Sequence, residues 1–303
     1  MTDTSVSAQP ENITKLKILS LVAQTYRTLF GNVVNVATML WAVIVVTVLY
    51  TYLHQYLVAA MGWQLGEGET TAFVGYMLGV DLIDKLLMLL LVAVTAVSFH
   101  RLVLLGEAPG ILGFKIGKRE RRFLGNAVVI ELVIFVMAGL PMLIVVFLDA
   151  WIQATFETTG GMLGILVFFG VSGLAVFGLV LLVRLWFAMP AISIDVPGGL
   201  RVRLMAAWIM GQGNTVRMIA AILLAMLPWI IGLGIWAMYM VFELPQAQSL
   251  GQKPLTSSLG VQGTAMVIVV NWLIAAVIYI LYSHAYQILS ENDENQLQQT
   301  AES

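Results

Sequence analysis

Six long apolar runs restrict what this chain can fold into more than any other feature of its sequence. The runs cover residues 32–57, 80–105, 125–148, 162–188, 216–241 and 264–287. A helix needs about 20 mainly apolar residues to cross the hydrocarbon core of a bilayer, and only helices and closed barrels satisfy their backbone groups there. Because the runs are continuous rather than alternating, we predict an all-α polytopic membrane protein with six transmembrane helices.

Composition supports this class and excludes several others. Hydrophobic residues make up 60% of the chain and charged residues 11%, whereas soluble domains carry about 45–50% and about 25%. So few charges do not cover a water-exposed surface, which excludes a soluble enzyme, a disordered chain, a coiled coil and a nucleic-acid binder. Without cysteine, the chain forms no disulfide, zinc–thiolate site or thiol nucleophile. We find no catalytic signature and expect no enzyme activity, metal or cofactor.

The positions of the few basic residues predict an orientation. All but two of the 15 lysine and arginine residues fall in the N-terminal segment or around the second and fourth loops; the exceptions are Lys85 and Lys253. Because cytoplasmic loops carry the excess of basic residues, we expect both termini in the cytoplasm, in a bacterial inner membrane. The polar residues 1–12 lack the apolar stretch of a cleavable signal peptide, so the first helix is expected to direct insertion.

A Gly-Asn dipeptide before each odd-numbered helix indicates an internal repeat. The dipeptide occurs at Gly31-Asn32, Gly125-Asn126 and Gly213-Asn214. Glycine lets the chain turn from the membrane plane into the bilayer, and asparagine can cap the new helix. We therefore predict three hairpins, each preceded by a cytoplasmic-side interfacial helix or basic segment. The predicted units are 13–106, 107–190 and 191–288 in one domain at 13–288, with a disordered tail at 1–12 and an acidic polar tail at 289–303.

The segments that precede the hairpins predict contact with lipid headgroups. Residues 13–30 and 199–212 have helical apolar spacing, and residues 111–124 are strongly basic. Basic amphipathic helices lie in the headgroup plane and favour anionic lipid. We therefore expect the bilayer itself, through anionic headgroups at the cytoplasmic face, to be the main partner. The predicted interface residues are Lys115, Lys118, Arg119, Arg121, Arg122, Arg201 and Arg203.

Two polar side chains inside the apolar runs are candidates for a functional role, because such groups are costly in lipid. Glu131 is predicted to lie roughly 10 Å deep in the third helix. Arg101 and Arg184, near the ends of their helices, can turn inward to form a structural ion pair with it. A proton or ion relay, or a carboxylate that reaches the headgroups, are the alternatives. Asn271 in the sixth helix is expected to bond across to a neighbouring helix.

Two further features suggest chemistry or transport less directly. His100 and His284 are predicted at the same membrane depth in equivalent repeat positions, and two facing imidazoles are what a membrane haem requires. Equivalent repeat positions also explain them without a ligand. Pro141 and Pro228 fall near the middle of their helices, where proline kinks a helix and frees a carbonyl group. Such breaks form substrate sites in some transporters.

One segment of about 40 residues resembles a known family. Residues 184–224, RLWFAMPAISIDVPGGLRVRLMAAWIMGQGNTVRMIAAILL, combine a helix-ending arginine, Pro190-Ala191, a polar turn and an interfacial helix that leads into a new span. This pattern resembles the membrane domain of some bacterial glycerophosphodiester phosphodiesterases and the YciC-like integral membrane proteins. The chain has Ala207-Trp208 and Gln212-Gly213 where that family usually has Ser-Trp and Thr-Gly. The resemblance implies a six-helix inner-membrane protein without the phosphodiesterase domain, so no hydrolase activity is implied.

Three functional hypotheses follow from these features. The first is a non-catalytic membrane bundle that organises anionic lipid or a membrane partner protein. The second is a transporter or channel for a small or lipidic solute that uses Glu131 and the proline-kinked helices. The third is an intramembrane enzyme or haem protein built on His100 and His284, or on Glu131 with a nucleophile. The basic interfacial segments and the absence of a catalytic signature favour the first.

Overall fold

The computed structural model describes residues 15–64, 70–110, 117–156, 162–249 and 256–302, and these residues form helices without any strand. Six of the helices are long and apolar enough to cross a membrane, so the chain is an all-α polytopic integral membrane protein, as predicted. The helices are α1 (Ile18–Gly31), α2 (Val33–Gln64), α3 (Thr70–Leu105), α4 (Lys118–Ile134), α5 (Leu140–Phe156), α6 (Met162–Trp186), α7 (Ala188–Ser193), α8 (Leu200–Gly211), α9 (Thr215–Ser249) and α10 (Thr256–Glu302). A π-helical turn, Phe135–Gly139, joins α4 to α5, so the third span is continuous.

The three Gly-Asn dipeptides do not all turn the chain. The chain leaves α1 for α2 at Gly31-Asn32, and it leaves α8 for α9 at Gly213, whose φ of +71° is reserved largely for glycine. At Gly125-Asn126, however, the helix runs on without a break from Lys118. The basic segment of the second unit is therefore the first part of its spanning helix, whereas the first and third units begin with separate short helices.

The first predicted proline kink coincides with a local change of helix type. Pro141 lacks an N–H group, which removes one bond of the regular helix. In the preceding turn, the N–H of Leu140 donates to the carbonyl of Phe135, five residues earlier. Such π-helical turns are rare and often accompany distorted helices. The second proline, Pro228, lies within α9, which stays α-helical throughout.

The packed core occupies the half of the bundle where α3 and α6 end and where α4 and α9 begin. We call this the basic end, because Arg101, Arg119, Arg184 and Arg217 lie there. The largest fully buried side chains, which include Phe99, Phe123, Phe187, Met189 and Ile280, all lie in this half. In the opposite half, α5 and the first part of α6 expose large apolar side chains outward, as lipid-facing helices do.

The acidic C-terminal segment continues the last span as helix. The sixth apolar run was predicted to end at residue 287, but α10 extends to Glu302 without interruption. The segment after the span therefore extends beyond the basic end of the bundle as a continuation of α10. At the end of the span, Gln287 and Glu291 face α1 across a small polar pocket.

Candidate functional site: the basic end of the bundle

Asp195 forms ion pairs with two arginines at the basic end. It lies in the loop between α7 and α8 with a φ of +57°, a conformation that Asp tolerates better than most residues. Its carboxylate forms ion pairs with Arg119 and Arg122, the second at 3.4 Å from Nη1 to Oδ1. The hydrogen bond from Arg119 holds the pKa of Asp195 below its usual value. This loop is therefore joined to α4 by two arginines that were predicted to bind lipid.

Arg101 pairs locally rather than with Glu131. Gly106, at a φ of +66°, ends α3 and turns the chain back, which brings the carboxylate of Glu107 onto the Arg101 guanidinium. The Nη1 atom of Arg101 is buried and has no partner among the described residues. The prediction that Arg101 turns inward to Glu131 is wrong, because a nearer carboxylate already holds it at the helix end.

Arg184 is held inside the junction of α6, α8 and α9. Its Nε donates to the hydroxyl of Thr215 at 2.9 Å, and its guanidinium lies 4.5 Å from the centre of the Trp208 ring. The Thr215 hydroxyl in turn donates to the carbonyl of Gly211 at 2.7 Å. A β-carbon at Gly211 would lie 3.0 Å from the Cγ of Arg184, so glycine is what allows α6 and α8 to approach. Arg184 therefore stabilises this junction and does not pair with Glu131, contrary to prediction.

Glu131 and Asn271, the polar candidates within the spans, both lie on the outer surface of the bundle. Neither side chain forms a hydrogen bond or an ion pair with any described residue, and both are exposed. The predicted ion pair of Glu131 and the predicted cross-helix bond of Asn271 are both wrong. The reason is angular position, because the buried face of α4 is formed by Phe123, Ala127 and Ile130, and Glu131 lies about 100° around the helix from Ile130.

The asparagine of the third Gly-Asn pair joins the N-terminal segment to α9. Asn214 is fully buried, and its Oδ1 accepts a hydrogen bond from the backbone N–H of Leu16 at 3.0 Å. Arg217 donates from Nη1 to the carbonyl of Leu16 at 3.1 Å. This asparagine therefore fixes the start of α1, while its predicted role as a cap of its own helix stays a prediction. Sequence reasoning missed this contact, since the two segments are 198 residues apart.

Tyr26 of α1 makes a second polar contact with α9. Its hydroxyl donates to the carbonyl of Ala225 at 2.6 Å, in the turn that precedes Pro228. Burial raises the pKa of Tyr26, so the phenol stays a neutral donor at physiological pH. Leu19 and Phe30 lie on the same face of α1 as Tyr26, seven residues before it and four residues after it, and both are strongly exposed. The buried face of α1 is formed by Leu21, Thr25 and Leu29. One side of α1 thus binds the bundle while the other is left for lipid.

The two histidines near the basic end have separate partners. His100 is fully buried and its Nδ1 lies 2.7 Å from the hydroxyl of Ser283, which itself donates to the carbonyl of Tyr279. Ser283 can then only accept, so His100 Nδ1 carries the proton. His284 instead lies 2.9 Å from the hydroxyl of Thr28 through Nε2. Because the imidazoles bond to different helices, they do not form the facing pair that a haem requires.

Three of the seven predicted lipid contacts stay exposed without an acidic partner among the described residues. Lys118, Arg121 and Arg201 belong to this group. Arg119 and Arg122 are paired with Asp195, and Arg203 donates to the carbonyl of Val196. Lys115 lies outside the described residues. At the same end of the bundle, α8 exposes the apolar side chains of Val202, Met205 and Ile209.

Within the described residues, no three His, Asp or Glu side chains group together as ligands for a metal ion. The arrangement at the basic end is one of fixed ion pairs, a few open cations and exposed apolar stripes. Comparison of the chain with protein-family models, with curated proteins and with solved structures finds no match. The geometry of the basic end is therefore the basis on which a function is proposed.

Proposed function

We propose that this chain is a non-catalytic membrane bundle whose basic end gathers anionic lipid headgroups at the cytoplasmic face of a bacterial inner membrane. The observation that carries the proposal is the presence of Lys118, Arg121 and Arg201 as exposed cations without an acidic partner among the described residues, on the same end as the short helices α1 and α8. A basic residue near an anionic bilayer surface contributes about 1 kcal/mol of attraction. Exposed apolar residues of α1 and α8 add insertion at the same depth.

The lipid proposal is tested by native mass spectrometry on the purified full-length protein. The triple variant Lys118→Gln, Arg121→Gln, Arg201→Gln should retain phosphatidylglycerol about two orders of magnitude more weakly than wild type, from about 1 kcal/mol per charge. Lys85→Gln removes an exposed cation from the opposite end and serves as the control, with retention unchanged. Equal retention by wild type and the triple variant would remove the basis of the proposal.

The proposed orientation has an independent test because the chain contains no cysteine. A single cysteine at Lys17, next to α1, should resist a membrane-impermeant maleimide in intact cells and react after permeabilisation. A single cysteine at Lys85, at the opposite end, should react in intact cells. The reverse pattern would place the basic end outside and would contradict the positive-inside expectation.

We also propose that the chain is related to the YciC-like membrane proteins, because of the segment 184–224. Residues 184–224 fold as a continuous unit that holds the end of α6, α7, the Asp195 loop, α8 and the turn at Gly213. Within it, Arg184 and Gly211 meet at the α6–α8 contact. Transport through a cavity that reaches Glu131 is less favoured, because this side chain lies on the outer surface. Its position supports contact with the surroundings rather than a route through the bundle.

A further inference from the structure

A small polar pocket lies between α1 and α10 at the basic end, separate from the open cations discussed above. Its volume is about 340 Å³, at the lower limit of about 300 Å³ for typical small-ligand sites. The polar residues that line it are Gln24, Arg27, Thr28, His284, Gln287 and Glu291. Polar side chains thus supply most of the described lining, although the pocket adjoins helices that are mostly apolar.

The pocket holds two opposite charges apart. Arg27 and Glu291 both line it, yet they form no ion pair with each other, and Arg27 has no hydrogen-bond partner among the described residues. Glu291 accepts a hydrogen bond from the Nε2 of Gln287 at 3.0 Å. The bond between Thr28 and His284, at 2.9 Å, links the two helices within the pocket. A cation and an anion that share a pocket without pairing leave room for a ligand between them.

The depth of the pocket corresponds to the headgroup region. On α10, it follows directly after Tyr282, whose hydroxyl bonds to the carbonyl of Val183 near the end of α6. On α1, it lies on the same helix as the exposed apolar residues Leu19 and Phe30. A helix with such an apolar side settles at the boundary between headgroups and acyl chains. A ligand in this pocket is therefore within reach of the polar part of a phospholipid.

We propose that this pocket binds a phosphoethanolamine group. A phosphate suits Arg27, whose planar fork donates two parallel bonds, with the amide of Gln24 beside it. A primary ammonium a few bonds away suits the carboxylate of Glu291. The two formal charges of the described lining cancel, which matches a zwitterionic headgroup and not an anionic one.

The lining also distinguishes ethanolamine from choline. A quaternary ammonium has no N–H to donate and is usually held by aromatic rings. Ile288 is the remaining described lining residue, so the described lining contains no Phe, Tyr or Trp. A primary ammonium, in contrast, can donate to both Glu291 and the amide oxygen of Gln287. The pocket should therefore prefer ethanolamine because of its N–H groups.

The test compares three lipids on the purified, delipidated full-length protein. Phosphatidylethanolamine, phosphatidylcholine and phosphatidylglycerol with identical acyl chains are added in equal amounts, and retained lipid is counted by native mass spectrometry. We expect one phosphatidylethanolamine per chain, about tenfold preferred over phosphatidylcholine. Glu291→Gln should equalise these two lipids, and Arg27→Gln should lower retention of both about tenfold. Lys17→Gln, an exposed cation outside the pocket, should leave the preference intact.

Two results would overturn the pocket assignment: wild type that retains phosphatidylethanolamine no better than phosphatidylcholine, or Glu291→Gln that keeps the full preference. Deacylated glycerophosphoethanolamine separates two sources of the same group. Displacement of the lipid by this compound at equal concentration assigns a water-soluble ligand, whereas binding of the acylated form alone assigns a bilayer lipid. The triple variant at Lys118, Arg121 and Arg201 should keep the ethanolamine preference, so this assignment and the anionic-lipid proposal fail independently.

Discussion

Replacing Asn214 with alanine should make α1 open from the rest of the bundle more often. The backbone N–H of Leu16 donates to Asn214 Oδ1 at 3.0 Å, and both residues are almost completely buried, with 1% and 0% of their surface exposed. Alanine offers no acceptor at that position. Arg217 still holds the carbonyl of Leu16, so the variant removes one of two bonds that fix the start of α1 to α9.

The expected magnitude follows from the burial of the donor. A buried N–H that loses its acceptor costs about 1–3 kcal/mol. Since about 1.4 kcal/mol corresponds to a factor of ten, opening of α1 should become about 5- to 150-fold more frequent. The effect should be local, because α1 is a short helix with an open apolar side whereas Ile280 and its neighbours in α10 are in the central core.

Hydrogen exchange detected by mass spectrometry in nanodiscs measures this difference directly. Amides of residues 18–31 should exchange faster in Asn214→Ala by the stated factor, while those around Ile280 should be unchanged. Asn214→Asp is the matched control, since its carboxylate keeps an acceptor oxygen beside Arg217 and should preserve slow exchange. Equal exchange of α1 in wild type and Asn214→Ala would refute the role of the bond, and a uniform increase in all helices would refute its local nature.

Three further predictions concern contacts of the basic end. The pKa of Asp195 is lowered in the folded state. Its ion pairs therefore stabilise the protein at a pH above the unfolded-state pKa of about 3.8 and lose this effect as the pH falls below that value. In thermal melts between pH 7 and pH 3, Asp195→Asn should show a smaller loss of stability at acid pH than wild type. Gly211→Ala should lower the free energy of unfolding in detergent by about 1–3 kcal/mol, because its β-carbon would crowd Arg184. Ser283→Ala should cost about 1–3 kcal/mol in the same assay by leaving buried His100 without its acceptor, and Ser283→Thr should restore most of it.

The number and approximate position of the spans could be predicted from the sequence because that information is local. A continuous apolar run of sufficient length has one stable conformation in lipid, a helix. The boundaries are less local. Gly125-Asn126 has the same letters as the two pairs that turn the chain, yet α4 continues through it. Glycine costs a helix only about 1 kcal/mol, so surrounding helical residues can carry the helix across such a pair.

Polar pairing was predicted poorly because it depends on distances between segments far apart in sequence. Asp195 pairs with Arg119 at a sequence separation of 76 residues, and Leu16 bonds to Asn214 at a separation of 198 residues. No periodic pattern in the sequence predicts either contact. The pair of Arg101 with Glu107 is different, since only six residues separate them. A glycine at the end of a helix followed by a carboxylate is a local signal for such a pair, and it could have been used.

The two groups of polar side chains, inside and outside the bundle, indicate where a function is to be sought. His100 and Arg184, which lie within the bundle, each have a bonding partner there, although single buried atoms such as Arg101 Nη1 have none among the described residues. The side chains that remain open lie on the surface of the bundle: Glu131 and Asn271 along the spans, and the unpaired cations at the basic end. A path for a solute needs open polar groups that face an interior space, whereas recognition of lipid or of a membrane partner needs them on the outside. Among the described residues, the distribution of open groups therefore favours a surface function over transport, and it makes the headgroup region of the basic end the place to test first.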